Sequence, residues 1–209
     1  VTSFLLGDPN MAEDPKKQHA KTAADYYKLA WEYTQSTNGK LFLMSGLSGS
    51  GKTTVAKQLA RDINAILIRS DAVRKHLAGI SLADRGSDEI YSSQMNHKTY
   101  ERLLELGILL ASQGFKVILD AKYDRIALRQ QAIAAANSQQ IPLQIIHCSA
   151  PIEILRDRIS KRTGDISDAT VDLISRQQAK AEAFTEAEKV YVKEVATGSI
   201  SLPLMETFF

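Results

Sequence analysis

Residues 46–53 read Gly-Leu-Ser-Gly-Ser-Gly-Lys-Thr, a spacing with which a chain can wrap its backbone around phosphate groups. This is the pattern G-x-x-x-x-G-K-[ST] of a phosphate-binding loop, or P-loop. Glycines let backbone N–H groups converge on phosphate oxygens, because no Cβ stands in the way. Lys52 would reach the β- and γ-phosphates, and the Thr53 hydroxyl would bind Mg²⁺. We therefore predict ATP and Mg²⁺ as cofactors. The predicted nucleotide-binding residues of the loop are Gly46, Leu47, Ser48, Gly49, Ser50, Gly51, Lys52, Thr53 and Thr54.

The flanks of this loop also match what a P-loop needs. A short apolar run at residues 41–44 precedes it and predicts a strand, and residues 54–62 follow it with the pattern of a helix. A strand, a glycine loop and a helix in that order form the context in which the motif has structural meaning. The N-terminus of the helix would add partial positive charge beside the phosphates. The alternative is a chance glycine-rich turn, which these flanks disfavour.

A carboxylate, Asp71, follows the second predicted strand at residues 65–68. Because ligands of parallel sheets bind at the carboxyl ends of the strands, we expect Asp71 to face the same cleft as the γ-phosphate. There it would orient and deprotonate an acceptor hydroxyl. The alternative is an N-cap for a helix over residues 72–78. Arg74 would bind an acidic group of the acceptor or the phosphates, unless it is a solvated helix arginine.

Asp120 ends a third predicted strand, at residues 116–119, and is the second predicted magnesium ligand. An apolar strand that ends in aspartate is typical of the Walker B pattern, in which the carboxylate holds Mg²⁺. Lys122 and Arg125 lie on the loop that follows, where they would face the cleft. The predicted acceptor-binding residues are Asp71, Arg74, Lys122 and Arg125.

The helix predicted at residues 152–162 carries arginines that suit a lid over ATP. Arg158 and Arg162 are spaced i, i+4 and therefore share a helix face. A polar break at residues 163–165 would serve as the hinge of the lid. We predict that Arg156 binds the nucleotide, although a charged, solvent-exposed helix face is the alternative for all three arginines. The predicted catalytic residues are Lys52, Asp71, Arg158 and Arg162.

The elements that must position these residues alternate along the chain. Apolar runs typical of strands are separated by amphipathic stretches, which predicts an α/β fold with a parallel sheet covered on both faces. We expect a three-layer fold of about five strands with a small helical lid. The predicted strands are residues 41–45, 65–68, 116–119, 143–147 and 190–192. The predicted helices are residues 16–37, 52–62, 72–78, 94–113, 125–137, 152–162 and 168–188.

The bulk composition limits the classes of function. The chain has 209 residues, a net charge of +2 and one cysteine, Cys148. The near balance of charge makes wholesale nucleic-acid binding a poor interpretation, and a single cysteine favours a reducing compartment. We see no apolar run of membrane-spanning length and no signal peptide, and therefore expect a cytoplasmic protein without membrane contact. The histidines show no metal-ligand spacing, so we expect no structural metal.

With these motifs in place, the chain resembles the small P-loop kinases, the group that includes gluconate kinase, chloramphenicol phosphotransferase and zeta toxins. It is most similar to the kinase-like ATPase module of bacterial proteins that begin with an aminoglycoside-phosphotransferase-like domain. The resemblance extends over residues 38–185. It rests on residues 46–53, 70–75, 117–121, the Leu155-Arg156-x-Arg158 helix and residues 165–169.

The resemblance implies roles for individual residues. The aspartate that matches Asp71 would be the base, Lys52 and Thr53 would bind phosphate and Mg²⁺, and the lid arginines would close on ATP. Lys122-Tyr123 departs from the small or hydrophobic residue expected after Asp120-Ala121, and this departure lies at the acceptor pocket.

The predicted domain organisation follows from the same resemblance. Residues 38–209 form the predicted P-loop kinase domain, and residues 1–37 a predicted arm and helix, which would link it to an upstream domain. The aromatic residues of that helix would pack on a core or dock the upstream domain.

We interpret the chain as a kinase that transfers the γ-phosphoryl group of Mg·ATP to a hydroxyl of a small molecule. One alternative is a nucleotide-gated ATPase or regulatory module of a larger protein. The other is a nucleoside or polynucleotide kinase, in which a basic track would bind phosphates. The residues of that track would be Arg69, Arg74, Lys75, Arg85, Lys122 and Arg125.

Overall fold

The structure is a computed structural model that describes residues 4, 6–34, 38–84, 86–161 and 171–198. The chain divides into two compact units, Val1–Thr37 and Asn38–Phe209. In the first unit, helix α1 (Glu13–Thr34) carries two acidic residues in its first turn, where they favour the positive end of the helix dipole. Its exposed aromatic side chains are those of Tyr26, Tyr27 and Trp31.

The second unit alternates strands and helices, as the sequence predicts. The strands are β1 (Lys40–Ser45), β2 (Ile66–Arg69), β3 (Lys116–Asp120), β4 (Leu143–Ser149) and β5 (Val192–Ala196). The helices are α2 (Lys52–Asp62), α3 (Ser70–Leu77), α4 (Ser93–Ser112), α5 (Ile126–Ser138), α6 (Ile152–Ser160), α7 (Val171–Lys180) and α8 (Glu186–Lys189). A single 3₁₀ turn, Asp88–Tyr91, precedes α4 within the described residues.

The strands of the described chain form one five-stranded sheet in the order β2-β3-β1-β4-β5, and every pairing in it is parallel. This confirms the predicted α/β fold with a parallel sheet. The chain leaves β1 towards β2 on one side, whereas it leaves β3 towards β4 on the other side of β1. β1 and β3 therefore flank the point at which the strand order reverses, where ligands of such sheets bind. The loops after both strands belong to the predicted site.

Side chains of the central strands alternate between two hydrophobic cores. Leu41 and Leu43 face the core that packs against α4 and α5, whereas Phe42 and Met44 face the core that packs against α2. This is the period of two expected for a strand that is buried on both faces. A third small cluster joins Leu155, Ile159 and Ile174 of α6 and α7.

Two predicted elements near the C-terminus differ from the structure. The helix predicted over residues 168–188 is wrong as a single helix, because residues 181–185 separate α7 from α8. The composition of that stretch suits a helix, but tertiary contacts override it. The last strand lies at Val192–Ala196 rather than at residues 190–192, because its pairing with β4 runs from Ile145 to Ser149.

The stretch between α7 and α8 is held by a buried ion pair that the sequence analysis did not identify. Arg129 of α5 and Glu188 of α8 are 1% and 2% exposed, and two hydrogen bonds of 2.9 and 3.1 Å join them. The remaining guanidinium N–H groups donate to three backbone carbonyls, those of Tyr123, Glu182 and Ala183. Every donor of the guanidinium is therefore used, which compensates for the cost of burying its charge.

The Arg129–Glu188 pair predicts a large loss of stability when one partner is removed. We expect Arg129→Ala to lower the free energy of unfolding by about 3–5 kcal/mol, because the Glu188 carboxylate would stay buried without its partner. Arg102→Ala is the matched control, since Arg102 pairs with Glu105 on the surface, and it should cost less than about 1 kcal/mol. Urea denaturation measures the free energy of unfolding of both variants. Equal losses would show that the buried Arg129–Glu188 pair contributes no more to stability than the surface pair does.

The same pair predicts a pH dependence of stability. Burial by itself raises the pKa of Glu188, but hydrogen bonds from Arg129 and from the backbone of Thr185 outweigh it, and the pKa lies below its ordinary value of 4.5. A lowered pKa in the folded state contributes stability that is present above 4.5 and is lost as the pH falls through the folded-state pKa. The stability difference between the wild type and Glu188→Gln should therefore shrink on acidification, which urea denaturation at stepwise lower pH would measure. A difference that stays constant would show that the charge of Glu188 does not carry the effect.

Candidate active site

The P-loop leaves the end of β1 through glycines in the left-handed region of backbone conformation. The φ angles of Gly46, Gly49 and Gly51 are +129°, +81° and +82°. A Cβ on Gly46 would lie 2.2 Å from the carbonyl oxygen of Cys148, a backbone atom that has little freedom to move. The first glycine of the motif is thus required by conformation and by space together.

Lys52 opens α2 and folds back over the loop. Its Nζ donates to the carbonyl oxygen of Leu47 at 2.8 Å, which closes the loop around the space that phosphates would fill. Burial lowers the pKa of Lys52, and the nearby carboxylate of Asp120 opposes this shift. A positive charge held in this position suits the neutralisation of a phosphate.

The two predicted magnesium ligands meet at the next residue of the loop. The Thr53 hydroxyl donates to Oδ2 of Asp120 at 2.7 Å, although the two residues lie 67 positions apart in the chain. In the described ranges, no three histidine, cysteine, aspartate or glutamate side chains form a larger metal cage. A hydroxyl and one carboxylate suit Mg²⁺, which prefers oxygen ligands and usually takes only one or two carboxylates from the protein.

Arg69, at the end of β2, lies between the two aspartates that the sequence singles out. Its Nε is 3.5 Å from Oδ2 of Asp120, and its Nη2 is 3.9 Å from Oδ2 of Asp71. The register of β2 against β3 places Arg69 directly opposite Asp120, which explains the first contact. Arg69 therefore joins Asp120, a predicted magnesium ligand, to Asp71, a role that the sequence analysis did not assign.

Asp71 lies in the first turn of α3. The N-cap of this helix is Arg69, so Asp71 is already helical and is not the N-cap residue. Its side chain is 26% exposed at the carboxyl edge of the sheet. In this position a carboxylate remains able to meet an acceptor in the cleft.

Arg74 and Lys75 follow on the same helix and are buried rather than solvated. The Arg74 guanidinium donates to the carbonyl oxygen of Ile90 at 3.0 Å and lies over the ring of Tyr91. The Lys75 ammonium donates to the carbonyl oxygens of Leu82 and Asp84 at 3.2 and 2.7 Å. Both cations thus hold the segment between α3 and α4. These contacts disfavour the basic track of a polynucleotide kinase, because they occupy two of its proposed members.

Lys122 and Arg125, on the loop that follows Asp120, are both paired with carboxylates. Lys122 lies 3.4 Å from Asp124, and Arg125 lies 3.3 Å from Glu182. Lys122 is partly exposed beside the cleft, whereas Arg125 also donates to the backbone of Lys180 and ties α5 to the end of α7.

Of the two predicted lid arginines that the structure describes, one is exposed to solvent and the other contacts the P-loop. Arg156 is exposed on α6. The Arg158 guanidinium reaches the carbonyl oxygen of Gly49 at 3.4 Å and also donates to Oγ1 and the carbonyl oxygen of Thr197. Arg162 and the predicted hinge at residues 163–165 lie outside the described residues, as does Arg85.

Two further residues contact the P-loop and were missed from the sequence. The side-chain oxygen of Gln177, on α7, accepts a hydrogen bond from the Ser48 N–H at 3.0 Å. Thr197, directly after β5, donates from its hydroxyl to the carbonyl oxygen of Ser50 at 2.7 Å. The position of Thr197 after a strand was a usable signal, but the predicted strand lay too early in the chain for it to be noticed.

His147 and Cys148, at the end of β4, lie beneath the loop. Cys148 is buried, and burial raises the pKa of its thiol to about 12, so it is not a nucleophile at neutral pH. Nδ1 of His147 lies 3.3 Å from the Ser45 hydroxyl, and burial lowers its pKa.

Comparisons with known proteins agree with this geometry. Residues 41–184 match the family described as an AAA domain.

No helix in the described part of the chain is both long and apolar enough to cross a membrane.

The matching curated relatives are longer than this chain. Uncharacterized proteins of Mycobacterium tuberculosis (strain ATCC 25618 / H37Rv) and Mycobacterium bovis (strain ATCC BAA-935 / AF2122/97) are each 29% identical to it over 191 residues. The match covers 90% of this chain and 37% of each relative, so the chain spans little more than a third of their length.

Several solved structures share the fold, among them two kinases. A gluconokinase from Sinorhizobium meliloti 1021 superposes with a TM-score of 0.55 at 19% identity, over 82% of this chain and 88% of that one. The APS kinase of Mycobacterium tuberculosis in complex with AMPPNP and APS gives a TM-score of 0.57 at 20% identity, over 77% and 90%. Kti12 of Chaetomium thermophilum in complex with ADP-AlF3 gives 0.58 at 18% identity, over 75% and 89%. These likenesses confirm the predicted resemblance to small P-loop kinases at the level of the fold.

The geometry of the loop predicts that Gly46 tolerates no side chain. Gly46→Ala should destabilise the protein by at least about 2 kcal/mol more than Gly79→Ala does, because the added methyl group would collide with the carbonyl oxygen of Cys148. Gly79 is the matched control, since it also has a positive φ, +70°, but a Cβ there would meet nothing within 4 Å. It should therefore report only the cost of the conformation, about 1 kcal/mol. Urea denaturation would measure the difference, and equal losses would mean that the loop can shift away from Cys148.

Proposed function

This chain belongs to the AAA domain family, and we propose that it is a P-loop kinase that transfers the γ-phosphoryl group of ATP to a hydroxyl of a small molecule. One observation carries the proposal. The P-loop, Asp120 and Asp71 meet at the carboxyl edge of the sheet, where the Thr53–Asp120 hydrogen bond and Arg69 join them. Such an edge, at the reversal of strand order, is where an α/β sheet binds its ligand.

The nucleotide would occupy the P-loop. Backbone N–H groups of the loop and the positive end of α2 would receive the phosphate oxygens, and Lys52 would add a full charge beside them. Thr53 and Asp120 would hold Mg²⁺, which when bound offsets the negative charge of the β- and γ-phosphates. The proteins of similar fold that were solved with AMPPNP and with ADP-AlF3 support a nucleotide at this place.

Asp71 would act on the acceptor. Its carboxylate takes the proton of the acceptor hydroxyl while that oxygen forms a bond to the γ-phosphorus. The bond from the γ-phosphorus to the oxygen that bridges it to the β-phosphate breaks, and ADP leaves with the electron pair. Arg69 would keep the Asp71 carboxylate oriented towards this reaction, because its guanidinium lies beside both aspartates.

The remaining predicted residues divide between the acceptor and the lid. Lys122, which is partly exposed beside the cleft, would contact the acceptor directly. Arg74 would act on the acceptor indirectly, through the segment that it holds at Ile90. Arg156 and Arg162 would meet the nucleotide when the lid closes, as guanidinium groups do in other phosphoryl-transfer sites.

A second candidate function is a nucleotide-gated module of a larger protein, which hydrolyses ATP to signal to a partner domain. The observation that favours it is the length of the curated relatives, of which this chain spans only 37%. In this case water replaces the acceptor hydroxyl, and inorganic phosphate replaces a phosphoester as the product.

Phosphorus NMR of ATP and Mg²⁺ with the protein and a pooled small-molecule extract would separate the two functions. A new phosphoester resonance would support the kinase and provide a signal by which to isolate the acceptor. Release of inorganic phosphate alone would favour the nucleotide-gated module. ATP that stays intact would contradict both functions.

The role of Asp71 can be tested by a variant that keeps its shape. We expect Asp71→Asn to lower the rate of phosphoester formation by about 10²–10⁴-fold, because the amide cannot accept the proton. Its affinity for ATP should not change, since the P-loop is untouched. Asp62→Asn, at the far end of α2, is the control and should retain full activity. Undiminished transfer by Asp71→Asn would exclude Asp71 as the base.

A further inference from the structure

Thr197 contacts the P-loop at the junction of Ser50 and Gly51. It directly follows β5, is 4% exposed, and places its hydroxyl 2.7 Å from the carbonyl oxygen of Ser50. A Cβ built on Gly51 would meet three atoms of the Thr197 side chain at 3.3 Å, so this side chain packs directly against the glycine. Thr197 therefore touches both sides of the peptide bond that joins Ser50 to Gly51.

The contacts around the Thr197 hydroxyl determine where its hydrogen points. A hydroxyl has one hydrogen to donate, and two carbonyl oxygens are in range, that of Ser50 at 2.7 Å and that of Ser149 at 3.1 Å. The oxygen of Ser149 already accepts the backbone N–H of Thr197 at 2.8 Å. Arg158 donates to the hydroxyl oxygen at 3.2 Å, which occupies one of its lone pairs. The hydrogen is therefore directed to Ser50.

The orientation of one carbonyl group fixes the orientation of the next N–H group. The described chain contains no cis peptide bond, so the C=O of Ser50 and the N–H of Gly51 point in opposite directions across a planar unit. Because Thr197 holds this oxygen, the N–H of Gly51 is turned away from Thr197. Backbone N–H groups of a P-loop are the groups that bind phosphate oxygens.

Arg158 supports the same arrangement at the neighbouring peptide bond. Its guanidinium reaches the carbonyl oxygen of Gly49 at 3.4 Å and also binds the backbone carbonyl of Thr197. These contacts occupy the guanidinium of Arg158, which the sequence analysis predicted to be catalytic. A guanidinium that binds the carbonyl oxygens of Gly49 and Thr197 would act on the nucleotide through the loop.

We propose that Thr197 is a positioning residue for nucleotide binding, which turns the N–H of Gly51 towards the phosphates by holding the carbonyl oxygen of Ser50, and that Arg158 acts through Thr197. The inference rests on the proposed function only in that the loop must bind a nucleotide. It does not depend on which molecule accepts the phosphoryl group, or on whether that molecule is water.

Two variants of Thr197 separate the hydroxyl from the shape of the side chain. Thr197→Val keeps the shape and removes the hydrogen bond, whereas Thr197→Ser keeps the hydroxyl. We expect Thr197→Val to weaken Mg·ADP binding, measured by calorimetry, by about tenfold, which is the value of one hydrogen bond. Thr197→Ser should bind close to the wild type. Without nucleotide, the amide resonance of Gly51 in an NMR spectrum should move in the valine variant and return in the serine variant.

Arg158 provides an independent test of the same proposal. If Arg158 acts through Thr197, then Arg158→Gln should weaken Mg·ADP binding, and it should weaken it much less in a protein that already carries Thr197→Val. Effects that multiply in the double variant would contradict the coupling. A loss of turnover with unchanged Mg·ADP affinity would place Arg158 at the phosphoryl group instead, and would overturn this part of the proposal.

The outcomes distinguish this inference from the proposed function. A wild type that binds Mg·ADP, together with a folded Thr197→Val protein of equal affinity and an unmoved Gly51 resonance, would overturn the inference alone. A wild type that binds no nucleotide would overturn the proposed function and the inference with it. Urea denaturation shows whether each variant is folded. If Thr197→Val does not fold, Thr197→Ala, which also lacks the hydroxyl, replaces it in both tests with the same expected outcomes.

Discussion

The parallel register of the sheet is the constraint on which the proposed site depends. It sets Arg69 opposite Asp120 and brings the ends of β1, β2 and β3 to one edge. A shift of one residue in β3 would move Asp120 to the other face of the sheet and away from Thr53. The burial of both faces by separate hydrophobic cores specifies this register, because each central side chain has a place in only one of them. Hydrophobic packing thus fixes the position of the polar groups.

Residues outside the nucleotide-binding motif hold the backbone of the P-loop. Gln177, Thr197 and Arg158 each bind a backbone group of the P-loop, and they come from α7, the end of β5 and α6. The buried pair of Arg129 and Glu188 fixes the stretch that connects α7 to α8 and β5. The C-terminal third of this unit therefore holds the backbone of the loop, whereas the sheet holds the side chains at the mouth of the cleft.

The sequence predicts the parts of this arrangement that depend on local patterns. The glycine spacing at residues 46–53, the apolar strands and the aspartates that end them were sufficient for the fold and for the Thr53–Asp120 side of the site. The sequence did not predict Arg129, Gln177 or Thr197, because nearly all of their partners lie 39 to 147 residues away, and most are backbone atoms, which have no sequence signature. The break at residues 181–185 was missed for the same reason, since a distant guanidinium holds its carbonyls.

The two buried cations of α3 bear on how a protein of this kind could change its substrate. Asp71 lies on the same short helix as Arg74 and Lys75, which bind backbone carbonyls of the segment that follows the helix. Arg74 also lies over the ring of Tyr91. An exposed side chain such as that of Leu82 takes no part in these contacts and can vary without changing how the segment is held. Evolution, or an engineer who exchanges such residues, could reshape the proposed acceptor side while the helix that carries Asp71, the proposed base, keeps its place. Such a division suits a scaffold on which many acceptor specificities arise from one catalytic framework.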